Sequence, residues 1–285
     1  MNYSVKKTGA AGFGIMDIVP GAYLRNQLEL YTGRTRMLFI RAKGCVNIDF
    51  TEFDTETDRL FFIRSGQYIQ IPGHTSGIML HYDEEHYFKG VNENYLEWKA
   101  MLFGYGNHEP SIGLVEDAQK TILSFYTEIR KEAENQYLNQ QETISTLIKQ
   151  LIVTSMRLYT RVPSNMSISY GPDLDFYRKF NSLVDEHFRQ LHSAAEFAKI
   201  CSMTTKTLNK KISKYSDKNP SEIIYKRIIL EAKRMLVQTQ MNVRDIAFLL
   251  GYEDYSYFIR FFVKHTGIAP QTFRRCHNQS LTAVA

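Results

Sequence analysis

Cysteine is scarce in this chain and poorly placed for chemistry. Its 285 residues contain three, Cys45, Cys201 and Cys276. They are odd in number and too far apart for a zinc pattern or a CxxC redox pair, which predicts reduced thiols and a cytosolic compartment. Long apolar runs are also missing, since nothing approaches the roughly 18 consecutive apolar residues of a membrane span. A short glycine-rich apolar patch follows Lys6 and Lys7, but Asp17 ends it and no cleavage pattern follows. His74, His81 and His86, with Glu84 and Glu85, are the only candidate metal ligands. They lack the HxH…E spacing that would gather them around one ion. No cofactor and no catalytic residue is expected.

What is present is ordinary in bulk and uneven in distribution. Apolar residues make up 44% and charged residues 23%, which excludes disordered and fibrous classes. The length suggests two domains, each able to bury its own core. Residues 1–170 hold 17 Lys and Arg against 19 Asp and Glu, a net −2, whereas residues 171–285 hold 18 against 11, a net +7. The positive charge therefore belongs to the C-terminal part alone. It fits either a polyanion partner or a solvated basic face.

Between residues 23 and 82, short runs rich in β-branched and aromatic residues (AYLRNQLELY, RMLFIRA, VNIDF, RLFFIR, QYIQI, GIMLHY) alternate with turn-forming pieces such as Lys43-Gly44 and Pro72-Gly73. This predicts a small antiparallel barrel or sandwich. Tyr23, Phe39, Phe61 and Tyr68 could line an apolar pocket in it, or simply fill its interior. Two helices follow, over about 115–133 and 138–161. In the second, Ile144, Leu151 and Leu158 recur every seven residues with Leu147, Ile148 and Ile152 beside them. That stripe either docks on the barrel or forms a homodimer seam. The uncharged segment 162–172, with a proline near each end, reads as a linker.

Beyond the linker the pattern is helical throughout. Ser193 and Glu196 form an S-x-x-E capping box that opens a helix over 194–200. After a turn at 201–203, Thr204 caps a second helix whose Leu208 and Ile212 point inward, leaving Lys206, Asn209 and Lys210 outside. The plan repeats with Asn242 as cap, Gly251 at the turn and Asp254 capping a helix from Tyr255. Here Phe258, Phe261 and Phe262 face the core and Ser256, Tyr257 and Arg260 face out. These helix-turn-helix units, 193–214 and 242–265, are joined by PSEIIYKRIILEAKRMLVQT, a helix opened by Pro220. A connector of about five turns would hold the two outer helices some 30 Å apart, near the ~34 Å between successive major-groove openings on one duplex face. Asparagine can pair with adenine, and lysine or arginine with guanine or phosphate. The same side chains also have plain readings: Lys206, Lys210 and Lys211 as solubilising charges, Arg260 paired with Glu253 or Asp254, and Tyr255 and Tyr257 as packing.

The stretch DIAFLLGYEDYSYFIRFFVKHTGIAPQTFRR, with NPSEIIYKRIILEAKRMLVQT and FAKICSMTTKTLNKKI before it, resembles the AraC/XylS family of transcription regulators over residues 173–275. Ser202 stands where that family's first turn usually has Gly, and Tyr255 where many members have Pro. The resemblance implies an all-α DNA-binding domain at 173–285, with Lys206, Asn209, Lys210, Ser256, Tyr257 and Arg260 at the DNA. It also implies promoter DNA and RNA polymerase as partners. More weakly, residues 1–161 resemble the family's cupin-type sensing and dimerisation domain, a β-barrel with two helices. That implies an α+β, two-domain chain controlled through a small-molecule effector or a homodimer via 138–161. The rival reading is a cupin-type metalloenzyme with an accessory helical domain.

Overall fold

A computed structural model describes residues 12–21, 33–84, 102–103, 110–135, 138–161 and 172–279. The chain divides into two compact units, 1–168 and 169–285. The expected linker at 162–172 and the run AYLRNQLELY lie almost wholly outside the described residues.

The first unit contains eight described strands: β1 (Phe13–Ile18), β2 (Thr35–Ile40), β3 (Gly44–Ile48), β4 (Thr51–Thr55), β5 (Arg59–Ile63), β6 (Ile69–Gln70), β7 (Gly77–Tyr82) and β8 (Ser111–Gly113). They form a five-stranded sheet in the order β1-β7-β2-β5-β8 and a three-stranded sheet in the order β4-β3-β6. All described pairings are antiparallel. The expected barrel is therefore not closed; among the described residues the strands make two separate sheets. The physical reason lies in β2 and β5, which are apolar on both faces. Such a sheet must be covered on both sides, and it reads as a continuous apolar run rather than an alternation.

Two cores provide that cover. Leu38, Ile40, Phe61, Ile63 and Met79 meet Val46, Ile48 and Ile69 of the small sheet and Ile71 just beyond it. On the other face, Met37, Phe39, Leu60, Phe62 and Leu80 pack under helices α1 (Glu116–Glu134) and α2 (Gln140–Arg161) through Ile122, Ile129, Ile148 and Leu151. Each fully buried side chain of this size contributes about 1.5–3 kcal/mol. The Tyr126 hydroxyl, buried on α1, donates to the Met37 carbonyl at 3.0 Å. Arg130 makes a two-pronged pair with Asp17 of β1 at 2.7 and 3.0 Å. Adjacent residues in a strand point to opposite faces, so Phe39 and Phe61 fall in different cores and do not line one pocket. Tyr68 stacks on Phe50 instead, with ring centroids 4.8 Å apart. Tyr23 lies outside the described residues.

The heptad stripe of α2 is used inside the unit. Ile144, Ile148, Leu151 and Ile152 are buried in the core, and Leu147 and Leu158 lean on it. This is the docking alternative.

The second unit is all-helical: α3 (Pro172–His187), α4 (Ala194–Ile200), α5 (Thr205–Ile212), α6 (Pro220–Gln238), α7 (Val243–Leu249), α8 (Tyr255–Thr266) and α9 (Pro270–Gln279). The long helix α6 starts with Pro220 at its first turn and a capping box between Asn219 and Glu222. It is the column of the unit, touching α3, α4, α5, α7, α8 and α9. Ion pairs tie it to α3 and the residues just after: Arg227 bonds Asp185 of α3, and Glu231, one turn along α6, accepts from Arg227 at 2.9 Å and from Arg189, past the end of α3, at 3.0 Å. At its far end Arg274 of α9 donates to the Leu236 carbonyl at 2.9 Å.

Candidate nucleic-acid interface

The two helix-turn-helix units are built from local signals. In α4–α5, Ser193 accepts from the Glu196 amide while Glu196 accepts from the Ser193 amide at 2.9 Å, satisfying two otherwise orphaned donors. The Ser193 hydroxyl hydrogen bond holds the Glu196 carboxyl below its usual range, against the opposing effect of burial. Thr204 then caps α5 by accepting from the Thr207 amide at 3.1 Å. In α7–α8, Asn242 accepts from the Asp245 amide at 2.8 Å. Asp254 accepts from the amides of Ser256 and Tyr257 at 2.7 and 3.2 Å.

The turns between the paired helices are copies of one another. Ser202 donates to Lys199 and Met203 to Ala198; Gly251 donates to Phe248 and Tyr252 to Ala247. His192 bonds the Leu250 carbonyl at 2.9 Å and stacks on Tyr252 with ring centroids 4.6 Å apart. That contact fastens the second turn to the residues just before α4.

The outward faces carry the expected residues. On α5, Leu208 and Ile212 are buried while Lys206, Asn209 and Lys210 are exposed. On α8, Phe258, Phe261 and Phe262 are buried while Ser256, Tyr257 and Arg260 are exposed. Asn209 and Lys210 also line an open polar cleft with Ser213, Lys218 and Asn219, where α5 gives way to α6. Lys211 turns elsewhere, over the Phe176 ring of α3 at 4.7 Å. Tyr257 combines two of the readings: it is 55% exposed, yet its ring leans on Tyr252 at 5.9 Å. Arg260 approaches Asp254 to 4.0 Å with both side chains in solvent. Of the two plain partners expected for Arg260, Glu253 and Asp254, the approach is to Asp254, the residue that also caps α8; it spans six positions and depends on how the long arginine is extended.

Among the described residues, the candidate metal ligands are not brought together. His74 is exposed in a loop, while His81 is buried in β7, bonded to Arg34 at 3.0 Å. Burial, reinforced by Arg34 and Arg36, lowers the His81 pKa to about 3. Glu84 accepts from Thr35 at 2.6 Å, and Glu85 and His86 lie outside the described residues. Among the described residues, the one grouping of possible metal-ligand atoms is Cys45, Glu52 and Asp54, with no histidine.

Residues 197–276 match a sequence family described as a helix-turn-helix domain. The chain is 28% identical over 104 residues to the bifunctional transcriptional activator/DNA repair enzyme AdaA of Bacillus subtilis, covering 36% of this chain and 49% of that protein. It is 24% identical over 98 residues to the HTH-type transcriptional activator RhaS of an Enterobacter species, covering 34% of this chain and 35% of that protein. The chain thus spans half or less of the length of the curated relatives it matches. Among solved structures, ToxT from Vibrio cholerae aligns with 92% of this chain and 98% of its own at 14% identity and a TM-score of 0.44. No described helix is long and apolar enough to cross a membrane.

Proposed function

We propose that the chain, whose residues 197–276 match a helix-turn-helix domain, is a sequence-specific transcription regulator of the AraC type reading two adjacent major-groove segments. Helices α5 and α8 are the reading elements. The observation that carries this is the division of faces on each of them. Leu208 and Ile212 on α5, and Phe258, Phe261 and Phe262 on α8, are buried, while Lys206, Asn209, Lys210, Ser256, Tyr257 and Arg260 stand in solvent. Phosphate contacts from the basic C-terminal part supply most of the affinity, and the side chains at base edges supply the discrimination.

The first unit, in this reading, supplies control through a small-molecule effector or through a homodimer, and the chain works in the cytoplasm beside RNA polymerase. Because the apolar stripe of α2 is spent on the core, a dimer through residues 138–161 would use the polar outer side of that helix together with the half-buried Leu147 and Leu158.

Enrichment of duplexes from a randomised pool by the full chain tests the proposal. A shared motif spanning two adjacent groove segments is expected; equal retention of all sequences would overturn it.

A further inference from the structure

Asp254 uses its two carboxylate oxygens differently. One accepts from the Ser256 and Tyr257 amides at 2.7 and 3.2 Å and holds the first turn of α8. The other lies 4.0 Å from a terminal nitrogen of Arg260. This is not the usual pairing of helix neighbours three or four positions apart. Six positions correspond to about 9 Å along a helix axis, so Arg260 must extend back toward the N-terminus of α8 to come this close. That is the end of a recognition helix whose residues meet base edges.

We propose that Asp254 is a positioning residue that determines specificity: its second oxygen keeps the Arg260 guanidinium extended over the N-terminal end of α8 and off the DNA backbone. The inference rests on the reading of α8 as a recognition helix. A carboxylate beside a duplex is repelled by phosphate and so weakens binding to every sequence. A neutral Ser or Asn caps a helix as well as Asp does, and Thr204 fills the equivalent place in α5 without charge. What the charge adds at position 254 is competition with the phosphates for Arg260. The side chains are 69% and 63% exposed, so the pair adds little to stability. Its effect falls on the direction of the arginine, whose ordering would otherwise be paid for at the moment of binding.

The experiment uses the full chain and a duplex motif enriched from a random pool. Single-base variants of that motif identify the base pair at which Arg260→Ala loses discrimination. Asp254→Asn, which keeps a capping oxygen and removes the charge, is expected to lower discrimination at that pair by about three- to fivefold, the scale of a surface ion pair. Binding to random duplex is expected to rise, and discrimination at other positions to stay as it was. Combined with Arg260→Ala, it changes nothing further at that pair. Asp254→Ser provides a second neutral cap with the same expected outcome. Full discrimination in both neutral-cap variants, or an equal loss in the absence of Arg260, would overturn the positioning role. A wild-type chain that enriches no motif overturns the regulator reading itself, and that result appears before any variant is made.

Discussion

Ser202 and Gly251 occupy equivalent corners of the two helix-turn-helix units, both with positive φ, at 53° and 82° respectively. The amide of each bonds back three residues, and the amide of the next residue bonds back five. The same turn is thus made once with a side chain and once without.

At Ser202 the left-handed conformation costs an L residue about 1–2 kcal/mol, while glycine there would cost about 0.5–1 kcal/mol in chain entropy. Ser202→Gly is therefore expected to stabilise the second unit by about 0.5–1 kcal/mol, a rise of roughly 2–6 °C in its melting transition. Thermal denaturation followed by circular dichroism checks this, and a lowered transition would contradict it.

Gly251 cannot be exchanged the other way. A methyl group there would overlap the Arg189 carbonyl oxygen and crowd His192 at 3.2 Å. With the conformational cost added, Gly251→Ala should destabilise the unit by about 3 kcal/mol. The same melting experiment reads it, with Ser202→Ala as a nearly neutral control.

Arg260→Ala and Asn209→Ala should each cost about 1–3 kcal/mol at an enriched motif and little on random duplex. A residue in contact with phosphate alone behaves differently: its loss weakens binding on all sequences alike and lowers the salt slope by about one. Titrations of Lys206→Ala and Lys210→Ala at several salt concentrations assign each lysine to one class or the other.

The Glu231 carboxyl is pushed up by burial, but Arg227, Arg234 and Arg189 outweigh this and hold it below the usual 4.5. A depressed native pKa means that its stabilising contribution is present above 4.5 and is lost as pH falls through the lower native value. Glu231→Gln should cost about 3 kcal/mol at neutral pH, since it leaves the buried Arg234 and the half-buried Arg227 undercompensated. It should also flatten the loss of stability on acidification. A variant with the same acid profile as wild type would refute this assignment.

Thiol reactivity should rank by burial. Cys276 is exposed and Cys201 half-buried. Burial, helped by Glu52 and Asp54, pushes the Cys45 thiol up to about 12. At pH 8 an aromatic disulfide reagent should modify Cys276 quickly and Cys45 only on unfolding. Mass spectrometry of partially labelled chain gives the order.

The strand readings show where sequence reasoning loses its hold. The runs RMLFIRA, RLFFIR and GIMLHY became β2, β5 and β7, because apolar β-branched and aromatic residues announce themselves. By contrast β4, whose sequence is TEFDT, is mostly exposed at the edge of the small sheet. With so little apolar surface to bury, it carries no pattern a sequence reader could see. β1 falls partly in the glycine-rich patch, and Gly14 is needed there because a side chain would meet the His81 ring.

The sequence alone determined the second unit. Its capping residues, its helix periods, Pro220, Gly251 and the outward set on α5 and α8 are all signals within a few positions of the structure they produce. Tertiary structure decided the first unit. Whether strands close into a barrel or split into two sheets depends on which distant segments pair and what covers each face. The separation of Phe39 from Phe61, the sinking of Arg36 between strands beside the Gln67 carbonyl at 2.7 Å, and the spending of the α2 stripe on the core all follow from that choice. Hydrogen bonds in a helix close locally, whereas those of a sheet are made with residues far away in the chain.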